Sequence, residues 1–409
     1  MKIYSIQNPN SPEQTIQFAD KKRYWWSGAL IYSALPIVMS LVYLVYPNPW
    51  LFITSLFIFI AIIPIVDALI GPKRSNPSEA LVEQMNKDPY YGNLLIGIIP
   101  IHFAAVIVPA WLLATQDLSI GFYLAFSLAV ALYSGFSINT AHEIGHKTTK
   151  LERFLSRVVL AVSGYGHFCV EHNVGHHKDV STPEDPASAR MGESVYRFAL
   201  REIPGAFKRG WTAEKKRLVK RGLPIWSHHN HILQSYMMTL VWQGGLIAVL
   251  GWVVLPFLLI QNVAAWFQLT SANYIEHYGL LRAKKVNGRY ERCRPHHSWN
   301  SNHVFSNLLL FQLQRHSDHH ANPSRSYQSL RSFDSLPELP AGYLGMYLVA
   351  YFPPLWFAVM DKRVLAIEHI NGDLSKVNLD PKNEAKIRQR HGLLGAANRK
   401  RQRFTRLFS

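Results

Sequence analysis

The stretch IGFYLAFSLAVALYSGFSINTAHEIGH, residues 120–146, joins two patterns that decide the fold. Its first part is about 20 apolar residues without a charge, and at 1.5 Å per residue such a helix crosses the roughly 30 Å hydrocarbon core of a bilayer. Its end carries His142 and His146, four residues apart and so on one helical face, just where the chain leaves the bilayer. Similar spacing returns in His172-x3-His176-His177 and His316-x2-His319-His320, and a ninth histidine, His277, ends the run Asn273-Tyr-Ile-Glu-His277. Imidazoles three or four residues apart can converge on one centre, as helical metal sites require. Nine are too many for one ion and about right for two.

Working outward, similar apolar runs lie near 26–46, 50–70 and 94–114, and a longer one from Tyr236 to Ile275 holds two more spans that turn near Gly251 and Pro256. The predicted fold is all-α: a six-transmembrane-helix integral membrane protein with a cytoplasmic helical cap carrying a histidine-rich dimetal site. The chain divides into a polar segment 1–23, four spans within 24–140, a histidine segment 141–233, two spans within 234–277, and a C-terminal segment 278–409. Pro36, Pro64, Pro100 and Pro109 fall inside spans and predict kinks. The apolar run Ala341–Met360 contains Gly345 and Pro353-Pro354 and is read as lying in the interface rather than crossing.

Charge tests this count independently. Of 409 residues 48% are hydrophobic, yet the net charge is +17, a pairing ordinary for a membrane protein whose charges lie outside the bilayer. No Lys or Arg occurs in 24–72, 88–146 or 223–281, and the blocks that hold them all fall on one face of a six-span chain. By the positive-inside rule that face is cytoplasmic, so a membrane protein with its histidines on the cytoplasmic side is expected. The basic balance, including the tail 398–406, is assigned to the membrane surface and not to nucleic acid. Two cysteines, Cys169 and Cys293, supply neither a disulfide framework nor a thiolate metal site.

His142-Glu143-x2-His146 has a rival reading as a zinc protease motif in which Glu143 activates water. A catalytic zinc uses three protein ligands and leaves the other histidines without a purpose, so the dinuclear reading ranks higher. A metal transporter would place its ligands within the spans, whereas these cluster beyond the span ends. Glu143 is expected to accept a ring N–H or help bind a metal. Glu171, Glu276 and Asp318, each preceding a histidine, are expected to fix ring tautomers. His102, His167, His228, His229, His231, His296, His297 and His303 are left outside the site.

The motifs His142-Glu-Ile-Gly-His146, Glu171-His-Asn-Val-Gly-His-His177, Leu313-Gln-Arg-His-Ser-Asp-His-His320 and Asn273-Tyr-Ile-Glu-His-Tyr-Gly-Leu280 resemble those of the membrane-bound, non-haem diiron alkane 1-monooxygenases. The resemblance implies terminal hydroxylation of an alkane to a primary alcohol with O2 as co-substrate and two iron ions held by the nine histidines. It also implies electrons from a rubredoxin that an NADH-dependent reductase reduces, and a place in a bacterial inner membrane. Two cysteines cannot make a rubredoxin's four-cysteine site, so the donor is expected to be a separate protein, and a small acidic carrier would be steered to the basic face. A fatty-acyl desaturase or sterol-type hydroxylase shares the histidine boxes and stands as the alternative.

An unactivated methyl offers no polar handle. Binding must come from apolar contact at roughly 0.8 kcal/mol per buried methylene, and bulky side chains along the route would limit chain length. Phe57 and Phe59 in the second span are the candidates, with a lipid-facing role as the competing reading.

Overall fold

The computed structural model describes residues 1–48 and 50–391, so the basic stretch at 398–406 lies outside the described residues. Six helices are long and apolar enough to cross a membrane: Arg23–Val45, Leu51–Ile70, Pro89–Thr115, Ile120–Gly145, His231–Leu250 and Trp252–His277. The chain is a multi-pass membrane protein. The expected spans are all there, several of them longer than their apolar runs because polar caps set the boundaries. Asp88 starts the third span by accepting from the Tyr90 N–H, with Pro89 in its first turn. Asn230 starts the fifth by accepting from Ile232 and Leu233. Gly251, at φ +87°, makes the turn between the fifth and sixth, a left-handed conformation that favours glycine.

Of the four prolines expected to kink spans, Pro64 and Pro100 stand beside local breaks, whereas Pro36 and Pro109 lie within the unbroken helices Gly28–Val45 and Ile99–Thr115. The second span contains a π turn at Ile58–Ile62 just before Pro64, where the missing proline N–H interrupts the regular ladder. The third has a one-residue break in its helix at Ile98, ahead of Pro100. The apolar segment beyond residue 340 is two helices, Tyr343–Ala350 and Pro353–Ala366, meeting at 118°. Its Tyr343, Leu344, Met346 and Tyr347 are buried in the core around the histidines.

The N-terminal segment is a finding that departs from the all-helical expectation. Lys2–Asn8 (β1) and Ser11–Asp20 (β2) form an antiparallel hairpin with Lys2 opposite Asp20. Tyr4, Ile16 and Phe18 turn toward the core while most neighbouring positions are exposed, the period-two pattern of a half-buried strand. The hairpin is latched to the third span, because Asp88 accepts from Tyr4 Oη (2.6 Å), Lys2 Nζ (2.7 Å) and Arg23 Nη1 (2.5 Å). Burial alone would raise the Asp88 pKa, and these partners hold it well below the usual carboxylate range.

Between the fourth and fifth spans, and after the sixth, the chain forms further helices. The longest of these, Val195–Lys220, packs against the π turn Glu171–His176 and against the sixth span. Close packing fixes two glycines. A Cβ at Gly135 would stand 2.7 Å from Gln268 Oε1, so the fourth and sixth spans meet there only because the side chain is missing. A Cβ at Gly175 would stand 2.6 Å from Arg209 Nε, which explains a glycine between His172 and His176.

Candidate metal centre

All nine histidines named from the sequence come together, in two groups. His142, His146, His172, His177 and His319 form one; His176, His277, His316 and His320 form the other, and within each group the ligand atoms lie within 4.8 Å of one another. No other histidine joins either group among the described residues. His102 instead bonds Thr140 Oγ1 (2.9 Å), His167 bonds Tyr236 Oη (2.8 Å), and His303 bonds Ser301 Oγ (2.9 Å).

Local structure sorts the rings. His142 and His146 sit a turn apart at the end of the fourth span, and His277 ends the sixth. The π turn brings residues five apart onto one face, so His172 and His177 meet with their Nε2 atoms 3.0 Å apart. The next-door neighbour His176 turns to the other group. Likewise His316 and His320, four apart, face each other at 2.8 Å, while His319 between them reaches across to His142 (2.9 Å) and His177 (3.2 Å).

The rings present Nε2 inward at these contacts, and the spacing fits a metal. Ligands at right angles about 2.1 Å from one ion stand about 3.0 Å apart, against 2.8–3.2 Å between these Nε2 atoms. Nε2 of His176 is buried with no hydrogen-bond partner, as an atom reserved for a metal would be. Burial drives His172, His177, His316, His319 and His320 well below the usual imidazole range, and their neighbours' charges add to it, so the rings are neutral and able to bind.

The supporting carboxylates differ from the sequence expectation. Asp185, which the sequence reading missed, accepts from His176 Nδ1 (3.0 Å) and Ser188 Oγ (2.7 Å) through Oδ2. Its Oδ1 accepts from Ala187 N (3.1 Å) and pairs with Arg209 Nη1 (2.7 Å). Burial works against charge on His176, and Asp185 outweighs it. Glu171 touches no imidazole by a hydrogen bond; it is paired with Arg209, whose Nε donates at 2.9 Å, and so acts one step removed. Glu276 does reach the site, with Oε2 3.3 Å from His316 Nε2. Glu143 and Asp318 do not. Glu143 holds Lys147 Nζ (2.7 Å) and the Tyr327 N–H (3.2 Å). Asp318 accepts from Asn322 and the Arg331 N–H and lies 3.3 Å from Arg325 Nε. A residue next to a ligand on a helix points about 100° away from it, so adjacency in sequence sends these carboxylates to other partners.

A narrow, mostly apolar cavity runs from the spans to the histidines. Tyr32, Phe59, Phe136 and Leu269 line it along the spans, and His142, His172, His316 and Glu276 line its inner end. Phe59 is 5% exposed and on the wall; Phe57 is 54% exposed, points away from the protein and does not line the cavity. The π turn at Ile58–Ile62 follows Phe57 directly.

The fatty acid desaturase family matches residues 118–354. The chain is 48% identical to alkane 1-monooxygenase 1 of Alcanivorax borkumensis, covering 95% of this chain and 96% of that protein. It is 48% identical to alkane 1-monooxygenase of Pseudomonas putida, over 89% and 90% of the two chains. With alkane 1-monooxygenase of Acinetobacter baylyi the identity is 42%, over 91% and 92%.

Proposed function

Because this chain belongs to the alkane 1-monooxygenase family, and is by that membership an oxidoreductase, we propose that it hydroxylates the terminal methyl of an alkane to give a primary alcohol. The balance is one alkane, one O2, two electrons and two protons giving alcohol and water. Two irons held by the nine imidazoles, five on one and four on the other, supply O2 reduction and hydrogen removal when bound. The observation that carries the reading is the convergence of nine Nε2-bearing rings in two sets at the inner end of an apolar cavity between spans.

The residues around this cavity have plain physical tasks. Its apolar wall binds a chain without polar groups and excludes water, and Phe59 lies where it would limit how far the chain extends. Asp185 keeps the Nδ1 proton on His176, leaving Nε2 free as a ligand. Glu276 Oε2 lies 3.3 Å from His316 Nε2, the ring atom turned to the other histidines, so it is placed to share a metal there and not to fix that ring's tautomer.

Lys and Arg placement supports a cytoplasmic position for the histidine centre, and the family resemblance implies a bacterial inner membrane. The electron donor is then a separate cytoplasmic rubredoxin, reduced by its NADH-dependent reductase. Product analysis tests the function. Purified enzyme with O2, octane, rubredoxin, reductase and NADH yields 1-octanol; an alkene or an internal alcohol as sole product returns the chain to the desaturase or sterol-type alternatives.

A further inference from the structure

The five-histidine group has two sides. His142 and His172 line the apolar cavity and are buried, whereas His146 and His177 are not on its wall and are only half-buried. Around these two rings the surface is formed by short exposed chain: Asn173, Val174 at 57% exposure, and Lys178. The centre is therefore nearest to solvent at a place that alkane does not occupy.

A basic arm stands beside this window. Residues 282–294 read Arg-Ala-Lys-Lys-Val-Asn-Gly-Arg-Tyr-Glu-Arg-Cys-Arg. Its foot is clamped to the residues that follow His177. Buried Arg282 donates through Nη1 to the carbonyls of Lys178 (2.8 Å) and Val180 (3.2 Å), and its N–H to Ser181 (2.8 Å). Tyr290 Oη adds a bond to Glu184 (3.0 Å). The tip turns at Asn287-Gly288, with Gly288 at φ +75°. Lys284, Lys285, Arg289, Arg292 and Arg294 are exposed. The arm's one acid, Glu291, is turned inward, accepting from the Ala283 N–H (2.9 Å) and lying 3.4 Å from His297 Nε2. Val286 at the tip is fully exposed, so cations surround an apolar contact point.

We propose that this window and arm are the docking face for a small acidic one-electron carrier protein. The inference rests on the oxygenase reading, which requires two electrons per turnover from outside. The cations attract and orient the acidic partner, and the exposed valines give it an apolar seat. The His146 and His177 rings then lie between the carrier and the metal centre. Anionic lipid headgroups would also be drawn to lysines; the anchoring of the arm to the rim of the histidine window favours the protein partner.

The test is the charge-reversal variant Lys284→Glu/Lys285→Glu/Arg289→Glu of the full chain, with the milder Lys→Gln and Arg→Gln set as a folding control. Rubredoxin binding is measured by calorimetric titration, and octane hydroxylation with rubredoxin as the varied substrate. The reversed variant weakens rubredoxin binding and raises its KM about tenfold or more, flattens the salt dependence, and leaves kcat at saturating rubredoxin and the octane KM unchanged. The neutral variant falls between. Unchanged rubredoxin binding overturns the proposal, as does loss of retention on phosphatidylglycerol vesicles alone, which would make the arm a lipid contact. Should the wild type bind rubredoxin in an arm-dependent way yet give no octanol, the oxygenase reading fails and the docking face stands.

Discussion

Replacing Asp185 with Asn separates the two halves of the metal centre. In the structure its two oxygens serve four donors: His176 Nδ1 and Ser188 Oγ on Oδ2, Ala187 N and Arg209 Nη1 on Oδ1. An amide has one acceptor oxygen. With that oxygen toward His176, the NH2 group confronts the Ala187 N–H and the Arg209 guanidinium, leaving a buried donor unsatisfied at about 1–3 kcal/mol. With the amide flipped, the NH2 faces Nδ1, and His176 must carry its proton on Nε2, where a metal would bind. Loss of such an orienting partner costs about 10–100-fold in metal affinity, about 1.4–2.7 kcal/mol. His176 belongs to the four-histidine group, so the damage falls on one ion. Iron per chain, measured after a mild chelator wash, falls from two toward one in Asp185→Asn, with a lower thermal midpoint in detergent. Two irons retained, and released to chelator at the wild-type rate, would refute the assignment of Asp185 to the metal centre.

Other substitutions report on other parts of the account. Phe59→Ala extends the product profile to longer alkanes, with each newly buried methylene adding about 0.8 kcal/mol, or about fourfold in kcat/KM; Phe57→Ala leaves the profile unchanged because that ring lies outside the cavity. Asp318→Asn weakens its contacts with Arg325 and Arg331 and lowers the thermal midpoint while iron content stays at the wild-type level. Glu202 is buried, and burial together with Glu171 and Asp185 pushes its carboxyl up to about 7 against the hydrogen bonds from Thr270 and Asn273. The folded state therefore favours protonated Glu202, and stability is lost as pH rises from about 4.5 through 7, by about 3 kcal/mol in all. Glu202→Gln removes that loss, so its thermal midpoint falls less than the wild type's between pH 5.5 and pH 8.

The spans and the nine histidines were legible because each rests on a pattern the chain cannot hide: long apolar runs without Lys or Arg, and imidazoles at helical spacing. The grouping was not. Adjacent His176 and His177, and adjacent His319 and His320, serve different groups, and the π turn that pairs His172 with His177 has no signature in composition. The supporting carboxylates were misread for a related reason. Glu143 and Asp318 stand beside ligands in sequence and point elsewhere, while Asp185 reaches His176 from nine residues away in the turn-rich Thr182-Pro-Glu-Asp-Pro186. A pair of acids, Glu184 and Asp185, between two prolines just after a histidine box was the signal available. The N-terminal hairpin could have been read from Tyr4, Ile6, Ile16 and Phe18 alternating about Asn8-Pro-Asn10, a pattern short enough to pass as a polar tail.

The central claim is that two groups of imidazoles, five and four, hold two irons of unlike surroundings beside one apolar cavity. Mössbauer spectroscopy of protein loaded with 57Fe, with iron counted per chain, tests it most directly. The account predicts two irons per chain in two distinguishable nitrogen-rich environments, both perturbed when octane is added. A single iron per chain, or full octane hydroxylation by protein that holds zinc and no iron, would contradict it.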